Sequence, residues 1–196
     1  YDLATEEQRK TLRDYYDVAP FSVMTITMER IFIDKLFAAE AYVRRSSEPQ
    51  RAFEAAKHIY DMAVMLHQPK IQRLLCDEGK IKSLLDIRME EEAGRLDGIP
   101  GVKPTSFAFF DSATDNDAVR KAYSIMQAQY VLRPADRIEY DEAMTALREI
   151  HVRLMQNRAW AQYKPSIMLM LRVNKEKAQE INHTTTKMRK KSDLER

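Results

Sequence analysis

A mainly α-helical fold, a helical bundle with one N-terminal strand region, is what this sequence predicts, and three observations carry it. Only four Gly and seven Pro are spread over 196 residues, which leaves little material for tight β-turns. The long segments between these breakers repeat apolar residues at intervals of three and four, the spacing of one helix face. Several of those segments open on residues suited to a helix start. With 44% hydrophobic residues the chain can fill one sizeable core or two small ones, and nothing in its composition marks it as disordered.

The elements follow in order. In "TEEQ", Thr5 and Gln8 have the spacing of a capping box, which predicts a first helix to about Tyr16. Pro20 stops propagation. The stretch "FSVMTIT", 21–27, alternates and is β-rich, with Phe21, Val23, Thr25 and Thr27 on one face. It is read as a strand, and because a lone strand cannot satisfy its own backbone groups it is expected to pair with a domain missing from this chain. Thr27 then caps a helix from Met28 to about Arg45, and Pro49 in "SSEPQ" suits the start of a second that reaches His67 before Pro69. Two long helices joined by so short a loop should form an antiparallel hairpin. Further helices are predicted at 70–76, 80–95, 114–131 and 138–158, the last two separated by a turn at Pro134.

The clearest break is "DGIPGVKP", 97–104, which holds two of the four glycines. It divides the chain into a helical hairpin region, 1–96, a C-terminal helical region, 97–160, and a basic tail, 161–196, expected to be partly disordered. Formal charge is +2 overall. Residues 172–196 hold eight Lys/Arg against four Asp/Glu, so the body is near neutral. One cysteine, Cys76, excludes an intramolecular disulfide and a Cys-rich zinc site, which suits a reducing compartment. The cytoplasm is the default expectation. No apolar run approaches the roughly 20 residues of a membrane helix. The chain begins at Tyr1 rather than Met, and a longer parent protein is expected.

Two charges stand out. Helix neighbours lie three and four positions apart, so Lys35 sits among Ile31, Phe32, Ala38 and Ala39, all apolar. Asp61 is the only charge between Ile59 and Leu66. Such residues can snorkel or pair as a structural salt bridge. They can also be an active-site pair, because a Lys held against apolar walls is a point charge suited to phosphate and a carboxylate can bind a cation or accept a proton.

At these residues the sequence resembles the AbiEii/AbiGii family of nucleotidyltransferase toxins from bacterial abortive-infection and toxin–antitoxin systems. "ERIFIDKLFAAE" is similar to the family's Arg-x-x-x-x-Lys-Leu helix after a strand, and "KHIYDM" to its basic-x-x-Tyr-Asp-Leu helix. The likeness covers 21 to about 66 and extends loosely to 150, through "YDEAMTALREI". It implies that Lys35 and Asp61 are catalytic, with Arg30, Lys57 and His58 as accompanying nucleotide- or phosphate-binding candidates. It further implies a parent protein that uses magnesium and an NTP, acts on RNA with tRNA as the expected target, and is held by a cognate antitoxin. The family's Gly-rich, Ser-containing motif and its acidic pair lie upstream of this Lys, and no such segment is present here. The chain is therefore expected to be a C-terminal portion, inactive alone, with self-association through 21–27 as a further expectation. The rival expectation is a non-catalytic helical interaction module in which Lys35 and Asp61 pair structurally.

Other constellations carry less. Asp115 and Asp117 in "TDND" have a metal-like spacing but sit at a predicted helix start, where Asp caps N–H groups. The four His residues lack zinc spacing and no phosphate-binding glycine motif occurs. "KMRKK" is read as a solvated terminus, "SIMLML" as core, and Phe107, Phe109 and Phe110 as packing beneath the 97–104 loop.

Overall fold

Helices account for all the regular structure among the described residues of the computed structural model, which are 5–15, 23–92, 94–95 and 97–164. In chain order they are α1 (Glu6–Tyr15), α2 (Met28–Val43), α3 (Pro49–Leu66), α4 (Pro69–Leu74), α5 (Glu78–Glu92), α6 (Phe109–Ser112), α7 (Asp117–Tyr130), α8 (Tyr140–Gln156) and α9 (Arg158–Ala161). Single 3-10 turns at Pro104–Ser106 and Pro134–Asp136 lie in the connections. No helix among the described residues is long and apolar enough to cross a membrane.

The capping box of α1 forms as its residues dictate: the Gln8 N–H donates to Thr5 Oγ1 at 3.3 Å and the Thr5 N–H donates to Gln8 Oε1 at 2.8 Å. No residue of α1 is buried, so the cap stands without a docked face behind it. The strand expectation is corrected. Residues 23–27 are irregular, with Val23, Met24 and Ile26 exposed, and no ladder partner faces them among the described residues. Without a partner strand, β-branched composition cannot satisfy the backbone as a ladder, and within the described residues the segment's formed role is the cap that Thr27 gives α2. Phe21 and Ser22, the end of the first predicted helix beyond Tyr15, Pro20, and the stretches "SIMLML" and "KMRKK" lie outside the described residues.

Helix α2 is the centre of the molecule. It packs on α3 through a short turn and also meets α4, α5 and α6, which is why Phe32, Ile33, Leu36, Phe37 and Ala39 are all fully buried. The predicted hairpin is realised, and small residues allow it: Ala39 on α2 and Ala55 and Ala56 on α3 are buried with no exposed surface. Helices α7 and α8 cover the other side of α3, so one continuous core runs across the 97–104 break. Phe107 meets Phe37 edge-on at 4.9 Å and Trp160 at 5.8 Å, which places all three aromatics of that stretch in packing as expected. Tyr163, which the sequence assigns to the tail, is buried and its hydroxyl donates to Asp86 at 2.9 Å.

The cap of α7 is Asn116, whose side-chain oxygen accepts from the Val119 N–H at 3.1 Å. Asp117 instead occupies the first turn, where its charge complements the helix dipole. The break at 97–104 has a steric reason as well: a Cβ on Gly98 would lie 2.3 Å from the Glu92 carbonyl oxygen, and Gly101 adopts φ +84°.

Candidate active site at the α2–α3 hairpin

The hairpin brings Lys35 and Asp61 together. Lys35 Nζ lies 2.5 Å from Asp61 Oδ2, with side chains 20% and 41% exposed. The lysine is held among apolar neighbours while the carboxylate keeps one side in water, so the pair is neither a surface pair nor a sealed one.

One turn before Asp61, His58 stacks on Tyr42 with ring centroids 5.5 Å apart and planes inclined by 4°. Burial, reinforced by the nearby Lys35 ammonium, pulls the imidazole down from 6.5 to about 4. His58 is therefore neutral at physiological pH and brings no charge to a phosphate; its buried Nδ1 has no hydrogen-bond partner among the described residues. Lys57 is bound to Glu54 at 2.7 Å, which holds its ammonium pKa above the ordinary value, and lies 5.2 Å from the Tyr130 ring centre.

Arg30 is placed elsewhere. It lies five positions before Lys35, a rotation of roughly 140° around α2 at 3.6 residues per turn. It engages Asp34 at 3.1 Å and Glu91 of α5 at 2.5 Å. Asp34 also faces Arg88 at 3.1 Å, close enough to attract but out of hydrogen-bond alignment, and the Arg88 guanidinium covers the Phe37 ring at 4.8 Å. The structure thus gathers Lys35, Asp61, His58 and Lys57, and assigns Arg30 to a second ionic cluster that ties α2 to α5.

Asp61 and Lys57 also border a cleft of about 480 Å³, formed with Tyr60, Tyr130, Arg133 and Asp136. Sequence reasoning missed the last four. Tyr130 and Arg133 lie some 70 residues downstream of Asp61, and only the packing of α7 on α3 brings them near; the signal available was the turn at Pro134, bracketed by Arg133 and Asp136.

The model of the family described as nucleotidyl transferase AbiEii toxin, Type IV TA system, matches residues 2–164. The chain belongs to the AbiEii family. That match spans every described helix and both charges of the pair, and takes in the motifs at 21–66 together with the looser likeness to 150. No curated protein and no solved structure matches the chain.

The pair offers two chemical capacities, a point charge suited to a phosphate and a carboxylate able to take a proton. Lys35 supplies the charge and Asp61 the carboxylate, which at 41% exposure is reachable from solvent. Magnesium fits these residues poorly by themselves: among the described residues no group of three His, Cys, Asp or Glu is gathered to hold an ion, and Asp61 is already engaged by Lys35.

Proposed function

We propose that this chain is the C-terminal portion of an AbiEii-type toxin whose intact form transfers a nucleotide from an NTP to RNA, with tRNA as the target, in a bacterial toxin–antitoxin or phage-defence system. The observation that carries the reading is the 2.5 Å contact of Lys35 and Asp61, formed by two helices within the region matched to the family. A triphosphate arriving at the site competes with Asp61 for the Lys35 ammonium. Lys35 then steadies the phosphates and Asp61, released, accepts the proton of the attacking RNA hydroxyl as pyrophosphate leaves.

Magnesium belongs to this proposal with an acidic pair supplied by an upstream segment of the same protein. A cognate antitoxin is the expected protein partner and the cytoplasm the expected compartment, where the exposed thiol of Cys76 stays reduced. The exposed residues 23–27 are the surface through which an upstream strand or a second copy would pair.

A second reading rests on the same contact: Lys35 and Asp61 neutralise each other, as a purely structural pair in a helical interaction module would. Labelling RNA with radioactive NTP separates the two. The protein with its upstream segment should label tRNA in a magnesium-dependent way, and Lys35→Ala or Asp61→Ala should abolish labelling at unchanged circular dichroism. Residues 1–196 alone should give none. Full activity in both variants would establish the structural pair instead.

A further inference from the structure

The cleft beside Asp61 has a composition that the phosphate-directed reading leaves unused. Its lining carries two cations, Lys57 and Arg133, and two carboxylates, Asp61 and Asp136, so it is close to neutral. Both cations are already paired, Lys57 with Glu54 and Arg133 with Asp136, each at 2.7 Å. Such a cleft has little to offer a phosphate. It has more to offer a flat, neutral, amphipathic ligand. Tyr130, the last residue of α7, is 59% exposed although its ring is held by Phe53 at 5.7 Å and by the Lys57 ammonium. Leu132 beside it is 90% exposed. The Tyr60 hydroxyl is fixed by donating to the Asp136 carbonyl at 2.9 Å, which leaves its oxygen free to accept from a base edge. The volume of about 480 Å³ is in the range of small-ligand sites.

We infer that this cleft is a nucleobase subsite in which the base stacks on Tyr130, and that it adjoins the reacting centre through Asp61. The inference rests on the nucleotidyl-transfer reading of Lys35 and Asp61. The base can come from either nucleotide of that reaction, the incoming one or the last one of the RNA acceptor, and both present the same aromatic face.

Photocrosslinking tests it in the full protein. Thiouridine monophosphate and a single-stranded oligoribonucleotide ending in thiouridine are irradiated separately with the protein, and the modified peptide is mapped. An adduct within residues 126–136 is expected with at least one probe. With the monophosphate it assigns the base to the incoming nucleotide; with the oligonucleotide alone it assigns it to the acceptor. Adducts with neither probe in that segment would overturn the inference. Tyr130→Ala should weaken binding of the effective probe about tenfold, the usual effect of losing one stacked base, and Tyr130→Trp should restore it. Wild-type affinity in Tyr130→Ala would also overturn it, and should that variant unfold, the wild-type adduct map decides. Crosslinking needs no turnover, so its failure leaves the labelling test of Lys35 and Asp61 standing, and failure of labelling leaves the adduct map standing.

Discussion

Water access differs between the two members of the central pair, with Lys35 20% and Asp61 41% exposed, and that difference sets what their contact contributes. Solvent around the carboxylate screens the attraction, so a double-mutant cycle on Lys35→Ala and Asp61→Ala should give a coupling of about 1 kcal/mol, well short of the roughly 3 to 5 kcal/mol lost when a sealed pair is broken. Urea denaturation of the four proteins measures it, and zero coupling would reject the contact. His58 makes a second prediction. Its folded pKa of about 4 lies below the ordinary 6.5, so as pH falls the unfolded chain takes up the proton first. The contribution is fully present above pH 6.5, is lost as pH falls from 6.5 to about 4, and changes no further below that. The whole effect is at most about 3 kcal/mol. The difference in unfolding free energy between wild type and His58→Phe, followed across that window, should carry this slope; a difference independent of pH would mean that His58 is not buried as neutral imidazole.

Helix ends set the position of the site elements. The Thr27 hydroxyl oxygen accepts from the Arg30 N–H at 3.3 Å, closing the first turn of the helix that carries Lys35. Thr27→Ala should therefore destabilise the protein by about 1 kcal/mol, while Thr27→Asp, also a capping residue, should leave it within a few tenths of wild type. Thermal melts of the two variants check this. Asn116 has a double role, capping α7 and donating from Nδ2 to Ser46 Oγ at 2.7 Å, which fastens α7 to the α2–α3 turn. Through that bond the helix that ends in Tyr130 is held in register with the helix that bears Asp61. The exposed segment 23–27 belongs to the same scale. If it pairs with a second copy, light scattering should show mass rising with concentration, and Met24→Lys should suppress the rise by placing charge on the open edge.

Across the whole molecule, the core is one body despite the glycine-rich break in its middle. Trp160 of α9 is fully buried against Phe107, and α9 packs on both α5 and α8. It is also the single tryptophan of the chain, so its fluorescence reports the unfolding of the part that joins the two halves. Fluorescence and circular dichroism should give coincident denaturation curves, and two separate transitions would instead show that the segments before and after 97–104 unfold independently. Trp160→Phe should cost about 2 kcal/mol or more through the cavity it leaves.

By itself the sequence determined the helical class, the approximate ends of most helices and the hairpin of α2 and α3; it singled out Lys35 and Asp61, and the structure showed that they meet. The class, the ends and the hairpin depend on interactions within a few residues, such as Thr5 with Gln8, or on a short turn that makes α2 and α3 antiparallel neighbours. The tertiary structure alone decided the rest. Arg30 and Lys35 lie five positions apart on one helix, and only the placement of α5 sends Arg30 to Glu91 and away from the site. His58 reads as a basic candidate by residue type, and burial beside Lys35 makes it neutral. Tyr130 and Arg133 reach the cleft through the packing of α7 on α3, a contact between distant parts of the chain that leaves no local pattern in either. Residues 23–27 show the same limit from the other side, since a strand is a relation between two segments and its composition names only one of them.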